Sequence, residues 1–315
     1  MSLSRRKFIH KLGISTAALP FASMPLRASK KVQLEDDLDV HLFSKHLQFL
    51  DLKQAGQMAA ELGFNGLDLT VRPKGHVLPE NVTSDLPKAI KDIKASGSTC
   101  MMMTTAVSDA ANKLDTDVIE TAAELGVKYY RADWFKYKED LTLEQSLELY
   151  MEKVRQLGEF NRVNNIVGCY QNHSGLKVGA SVWEVKKILE KVDPAYFGAQ
   201  YDIRHAVAEG GRSWPNGVKL LKDQIKTIVL KDFKWGRVDG KWQIVNVPIG
   251  EGMVDFAAYF KLLKSFNLKP PVSLHLEYPL GGAEKGRSEI TVDPKIVYDA
   301  MKKDLSHVQK LWKEA

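Results

Sequence analysis

"VSLHLEYP" (272–279) alternates apolar and polar positions as a β-strand does, yet it carries two ionisable groups. In an extended chain His275 and Glu277 face one side, opposite Leu274, Leu276 and Tyr278. A solvent-facing edge strand would show this pattern. So would a strand that opens onto the mouth of an active site, and the rest of the chain decides between them.

Working back from that stretch, one unit recurs: an amphipathic helix, a Gly or Asn near its end, then a short β-rich run. "QAGQMAAELGFNGLDLTV" (54–71), "VIETAAELGVKYYRAD" (118–133) and "FAAYFKLLKSFNLKPPVSLHLEY" (256–278) each show it. β-rich runs fall at 39–45, 66–71, 98–106, 128–133, 165–173, 197–205, 225–233 and 272–278. Eight strands trailed by helical segments over about 280 residues predict a single-domain α/β protein, a (β/α)8 barrel. A doubly wound open sheet would favour a glycine-rich phosphate loop, and neither G-x-G-x-x-G nor G-x-x-x-x-G-K-[ST] occurs.

The 315 residues carry a net charge of +6, which raises the question of an anionic partner. Residues 1–28 hold Arg5, Arg6, Lys7, Lys11 and Arg27 and no acidic residue. Without those five, 40 basic residues face 39 acidic ones, so the basicity belongs to the leader and gives no support for nucleic-acid binding. "SRRKFIHK" (4–11) is a twin-arginine motif, followed by a short, mildly apolar stretch and a small-residue exit. That layout predicts a Tat-type export signal over 1–28, with the barrel over 29–315, and not a membrane span, which needs about 20 apolar residues. The expected location is periplasmic, with no membrane attachment once the signal is removed. Cys100 and Cys169 are the only cysteines, and spacing alone does not say whether they pair.

In such a barrel chemistry sits at the C-terminal ends of the strands. Here those ends are polar: Asp68, Thr70, Arg72 and His76; Gln171, Asn172 and His173; Asp202, Arg204 and His205; Lys231 and Asp232; His275 and Glu277. Any one of these could be a satisfied structural group. Asp232, opposite in parity to Lys231, reads as a loop cap, and His275 as a support for Glu277. Five strands ending polar at one rim point to a site, because buried charges are costly unless paired or metal-bound.

"YDIRH" (201–205), "LKD" (230–232), "IGEGMVDF" (249–256) and "HLEYP" (275–279), in that order, resemble the xylose-isomerase-like TIM-barrel family of sugar and sugar-phosphate isomerases and epimerases. The resemblance covers roughly residues 38–305. It implies a divalent metal, Mg, Mn or Zn, held by a Glu on the fifth strand, an Asp on the sixth, a His on the seventh and a Glu on the eighth. Asp202 and Glu277 match that pattern, while Gln171 stands at the usual Glu and Val229 at the usual His. The implied ligands are therefore Gln171, Asp202 and Glu277, a weakened oxygen set. A metal-free site, with Lys231 or a protonated His beside the developing charge, is the alternative.

The chemistry the resemblance implies is proton removal beside a sugar carbonyl through an enediolate, with Lys231, His205 and Glu277 as catalytic residues. Arg72, His76, His173 and Asp68 are candidate substrate contacts, and Trp134, Trp214 and Trp235 are aromatics placed to stack on sugars. Export favours an unphosphorylated sugar or keto-sugar. A lyase or hydratase acting on 3-keto-glycosides would use the same site, and a non-catalytic carbohydrate-binding barrel is the rival from another class. An apurinic-site endonuclease of this fold would need more metal ligands and a basic groove. The expected partner is a small sugar, with self-association into a homo-oligomer open.

Overall fold

The computed structural model describes residues 37–315; the export-signal reading falls on residues outside those described. Strands β1 (Val40–Phe43), β2 (Gly66–Val71), β3 (Met102–Thr105), β4 (Tyr129–Arg131), β5 (Val167–Gln171), β6 (Phe197–Asp202) and β7 (Ile225–Leu230) follow one another in the chain. An antiparallel pair, β8 (Asp232–Val238) and β9 (Lys241–Val247), precedes β10 (Val272–Leu274). β1 to β7 and β10 close into one parallel barrel in the order β1-β10-β7-β6-β5-β4-β3-β2. The (β/α)8 architecture is therefore as the periodicity predicts.

Around it lie α1 (Leu52–Leu62), α2 (Val82–Ala95), α3 (Lys113–Glu124), α4 (Leu143–Asn164), α5 (Val182–Ile188), α6 (Ile203–Gly210), α7 (Trp214–Leu221), α8 (Phe256–Ser265) and α9 (Pro294–Glu314). None of the described helices is long and apolar enough to cross a membrane. Local chemistry sets their ends. Asp51 with Gln54 and Thr142 with Gln145 form reciprocal capping boxes at α1 and α4. Gly63 closes α1 at φ 94°, a conformation that glycine adopts without a Cβ clash. Leu67, Leu69, Val71, Leu274 and Leu276 are fully buried in the layer between barrel and helices. Each such side chain contributes roughly 1.5–3 kcal/mol on leaving water.

Three expectations need correction. The eighth strand ends at Leu274, not Tyr278: the His275 N–H still reaches the Leu230 carbonyl at 3.0 Å, but the Leu276 N–H bonds His46 Nε2 at 3.0 Å in place of a neighbouring strand. The sixth ends at Asp202, whose side chain accepts the His205 N–H at 3.1 Å and starts α6, so Arg204 and His205 are helical. The β8–β9 hairpin lay outside the eight-strand count, and Trp235 sits half in solvent on it. Trp214 packs edge-on against Tyr259 in the outer layer. Cys100 and Cys169 are both buried and free, with burial pushing each thiol up to about 12.

Asp232 explains why "LKD" and "IGEGMVDF" occur together. It is buried, and its carboxylate accepts four backbone N–H groups: Phe233 (2.8 Å) and Val254 (3.2 Å) on Oδ1, Gly250 (3.0 Å) and Gly252 (2.9 Å) on Oδ2. A Cβ on Gly252 would lie 2.2 Å from Oδ1, so the close approach requires glycine. Asp232→Ala orphans all four donors and is expected to cost about 3 kcal/mol in urea unfolding. Asp232→Asn, which keeps acceptor capacity, should cost less.

Acid sensitivity follows from buried imidazoles. Burial pushes His46 down to about 3 and His76 to about 4, whereas in the unfolded chain they titrate near 6.5. Between those values the unfolded chain binds more protons, so stability is lost as pH falls. Asp304 opposes this: burial beside Tyr278 raises it to about 6, so its contribution is lost as pH rises from 3.8 to 6. His173, pushed down to about 4, and His205 and His275, also lowered by burial, add in the same direction, so the histidines outweigh one carboxyl and stability should fall by at least about 2 kcal/mol from pH 7 to pH 5. Urea midpoints across that range check the slope, which His46→Gln should flatten.

Candidate active site

The barrel's C-terminal mouth holds a pocket lined by Phe43, Lys45, Arg72, Thr104, Arg131, Trp134, Gln171, His173, Lys231, His275 and Glu277. Seven residues singled out from sequence line it: Arg72, Trp134, Gln171, His173, Lys231, His275 and Glu277. Asp68 does not. It is buried below, with Thr104 donating to both oxygens at 3.1 Å and Ser273 to Oδ2; burial raises its pKa. His76 also lies off the pocket, its Nδ1 3.1 Å from both Ser44 Oγ and Thr70 Oγ1, where it ties the ends of β1 and β2 together.

Glu277 is held from the far end of the sequence. Lys45, in the turn after β1, donates to both its oxygens at 3.1 Å, and His275 Nδ1 lies 3.7 Å from Oε1. Burial alone would raise its pKa, but His275, Lys231 and Lys45 outweigh it and hold the carboxyl well below the usual range. Burial pulls Lys45 down while Glu277 opposes the shift. His275 is stacked on Phe43 at 4.1 Å and contacts Ser273 through Nε2.

Lys231 is 3.1 Å from Asp202 Oδ2, to which Gln171 Nε2 also donates at 2.8 Å. Asp202 is fully buried and its Oδ1 caps α6. Its carboxylate is satisfied from within, and Lys231 and Gln171 are the members of this group that reach the pocket lined by Glu277.

His205 stands behind His173, ring centroids 4.0 Å apart, and does not line the pocket. Arg204 Nη1, which can only donate, approaches His205 Nδ1 at 2.9 Å, so Nδ1 is an acceptor and the proton sits on Nε2. That N–H faces Asp202 Oδ2 at 3.6 Å. Burial and neighbouring Lys231 hold His205 neutral, which leaves it a donor with no free lone pair toward Asp202. Burial likewise pushes His173 down to about 4. Trp134 meets His173 edge-on at 4.5 Å and donates from Nε1 to the Gln171 carbonyl at 3.1 Å.

Sequence reasoning missed Lys45, Arg131 and Asn246. Lys45 closes the predicted β-run at 39–45 and Arg131 lies two residues before the end of the run at 128–133, the same charged-end signal that was used on the other strands. Asn246, on the hairpin, accepts from Arg204 Nη2 at 2.6 Å and donates to the Glu277 carbonyl at 3.3 Å. The Asp239-Gly240 pair at the hairpin tip is a turn signal that would have revealed the element.

Residues 57–291 match the family model for the xylose isomerase-like TIM barrel. The chain belongs to this family. Among curated protein sequences none matches it. Among solved structures, the family's likeness extends to a 3-keto-D-glucoside 4-epimerase from E. coli, in its apo form (TM-score 0.62, 14% identity, 86% of this chain and 99% of that one). It is also similar to a D-psicose 3-epimerase with D-tagatose from Clostridium cellulolyticum H10 (0.65, 13%, 87% and 99%). A family protein from Mycobacterium smegmatis in complex with magnesium matches at 0.63, with 12% identity over 87% and 98%. At these identities the likeness is one of fold.

The family's metal pattern does not suit the residues present here. Val229 stands level with Asp202 and Ser273 on the adjacent strands and offers no donor atom. Gln171 turns its NH2 to Asp202, and each carboxylate already holds a lysine ammonium. Among the described residues no three His, Cys, Asp or Glu side chains are placed to share an ion. A dication inserted between two ammonium groups would be repelled by both.

Proposed function

We propose that this protein is an isomerase- or epimerase-like enzyme that removes a proton beside the carbonyl of an unphosphorylated sugar or keto-sugar. The observation that carries this reading is an ionised, pocket-lining Glu277 beside the ammonium of Lys231. Family membership and the fold shared with two keto-sugar epimerases support it.

Glu277 takes the proton from the carbon next to the carbonyl. The electron pair of that C–H bond forms the enediolate, whose oxygen charge meets Lys231. Return of the proton to the neighbouring carbon, with that carbon's hydroxyl proton passing to the first oxygen, gives the isomer; protonation of the same carbon by water from the opposite face gives the epimer. Fixed positive charge at the oxygen lowers the barrier because it needs no reorganisation as charge develops. Lys45 holds the Glu277 carboxylate in place, and Asp202 holds Lys231. In this scheme the two ammonium groups supply the positive field that a divalent ion supplies in a full ligand set.

Incubation with keto-sugars in deuterated water tests the proposal. Deuterium at a carbon beside the carbonyl, read by NMR, is the expected result; a broad panel without exchange or turnover would leave a sugar-binding barrel. The leader-like residues 1–28 extend the proposal to an exported enzyme. Cell fractionation of the native chain and of an Arg5→Lys, Arg6→Lys variant tests that part: export should fail in the variant.

A further inference from the structure

Two guanidinium groups in the pocket lack a carboxylate of their own. Arg131 is only 3% exposed, yet its hydrogen bonds go to backbone carbonyls, Nη1 to Ala132 at 3.0 Å and Nη2 to Thr105 at 3.4 Å. Its guanidinium carbon lies 4.1 Å from the Trp134 ring centroid. Arg72, half-buried, has its guanidinium 5.5 Å from the centre of Phe43 and forms no ion pair among the described residues. Both groups are pulled down by burial, Arg131 to about 10, and Arg72 adds to the effect on Arg131.

The lysines make the contrast. Lys45 has Glu277 and Lys231 has Asp202, so those two charges are compensated. Asp133 and Asp68, and for Arg72 also Glu277, act on the arginines only from a distance, without an ion pair among the described residues; the Asp68 oxygens are engaged by Thr104 and Ser273, and an Asp133 oxygen by the Trp134 N–H. A guanidinium taken out of water without a counter-ion is costly, and two that line one pocket repel each other. Such a pair is retained where a ligand brings the missing charge.

Position adds a second argument. Arg131 ends β4 and Arg72 follows β2, whereas Lys231 follows β7 and Glu277 follows β10. In the barrel order β10 and β7 are adjacent, β4 lies across the ring from them, and β2 lies between, two strands from β10 and two from β4. The pocket therefore has a proton-transfer side, with Arg131 facing it from across the mouth and Arg72 between the two.

We propose that the substrate is itself an acid: a sugar or keto-sugar whose carboxylate is held between Arg131, across the mouth from Glu277 and Lys231, and Arg72 beside it. The planar guanidinium fork matches a carboxylate in two parallel hydrogen bonds. The inference rests on the reading of this pocket as the substrate site, and it narrows the substrate class. A phosphate monoester presents similar anionic oxygens, so the test must separate the two sources.

Calorimetric titration of the native protein with D-glucose, D-glucuronate, D-gluconate and glucose 6-phosphate makes that separation. At least about tenfold tighter binding of the carboxylates than of glucose is expected, with a preference that weakens as salt is added. In Arg72→Gln the ratio of acid to neutral binding should fall toward one. Arg131→Lys, which keeps the charge but loses the fork, should fold and retain part of the preference. A response confined to the phosphate would overturn the carboxylate assignment and make the arginines a phosphate site. Equal responses to charged and neutral members, no response to any, or a preference unchanged in Arg72→Gln would overturn the proposal. The titration does not depend on turnover, so a failed exchange assay and a failed charge preference are distinguishable.

Discussion

Glu277→Gln is expected to lower the rate of solvent deuterium exchange into a keto-sugar substrate by about 10³-fold. The amide is close in size and can still accept from Lys45, so the pocket should keep its shape and its ligand affinity. What it loses is the ability to take a proton. The structure makes the carboxylate ionised throughout the working range, because Lys45, Lys231 and His275 together overcome the effect of burial. The same neighbours limit its basicity, so it must act on a carbon acid whose anion is stabilised in the site. A lost exchange rate with substrate binding intact, measured by titration calorimetry, would assign the base. A variant that exchanges as fast as the native enzyme would place the base elsewhere.

The second large effect is expected at Lys231. Its ammonium is the cation paired with the fully buried Asp202, and it also faces the pocket. Lys231→Met should therefore do two things. Exchange should drop by about 10²–10³, the scale for loss of one preorganised charge at a developing oxyanion. Stability should fall by about 3–5 kcal/mol, because Asp202 is left as a buried charge without its cation. The double substitution Lys231→Met, Asp202→Asn separates these effects. It removes both charges, should recover much of the stability, and should recover none of the activity. Urea unfolding beside the exchange assay reads both.

These two residues were visible in the sequence, and the reason is geometric. On a strand, alternation states which side chains face the axis; Lys231 and the His275–Glu277 pair lie just past the ends of their strands, and extending that alternation assigned them to the mouth. The cap role of Asp232 followed from the same rule, since its parity turns it away from Lys231. Lys45 was not visible as a partner. Nothing local links it to Glu277, 232 positions later, and only barrel closure through the β1–β10 pairing brings the two together. Asp68 has the right side of its strand and His76 the loop that follows, yet Thr104, Ser273, Ser44 and Thr70 engage them below or beside the pocket. Parity gives a direction, not a depth. The metal pattern was legible only as a gap at Gln171 and Val229; that ammonium groups occupy the two carboxylates needed the folded chain.

The central claim is that fixed lysine charge does the work that a divalent ion does in a full ligand set. Its most direct test is the deuterium exchange rate of native protein dialysed against a chelator and shown by elemental analysis to carry no metal. The account predicts exchange undiminished by that treatment and lost in Lys231→Met. Exchange abolished by the chelator and restored by magnesium or manganese would contradict it.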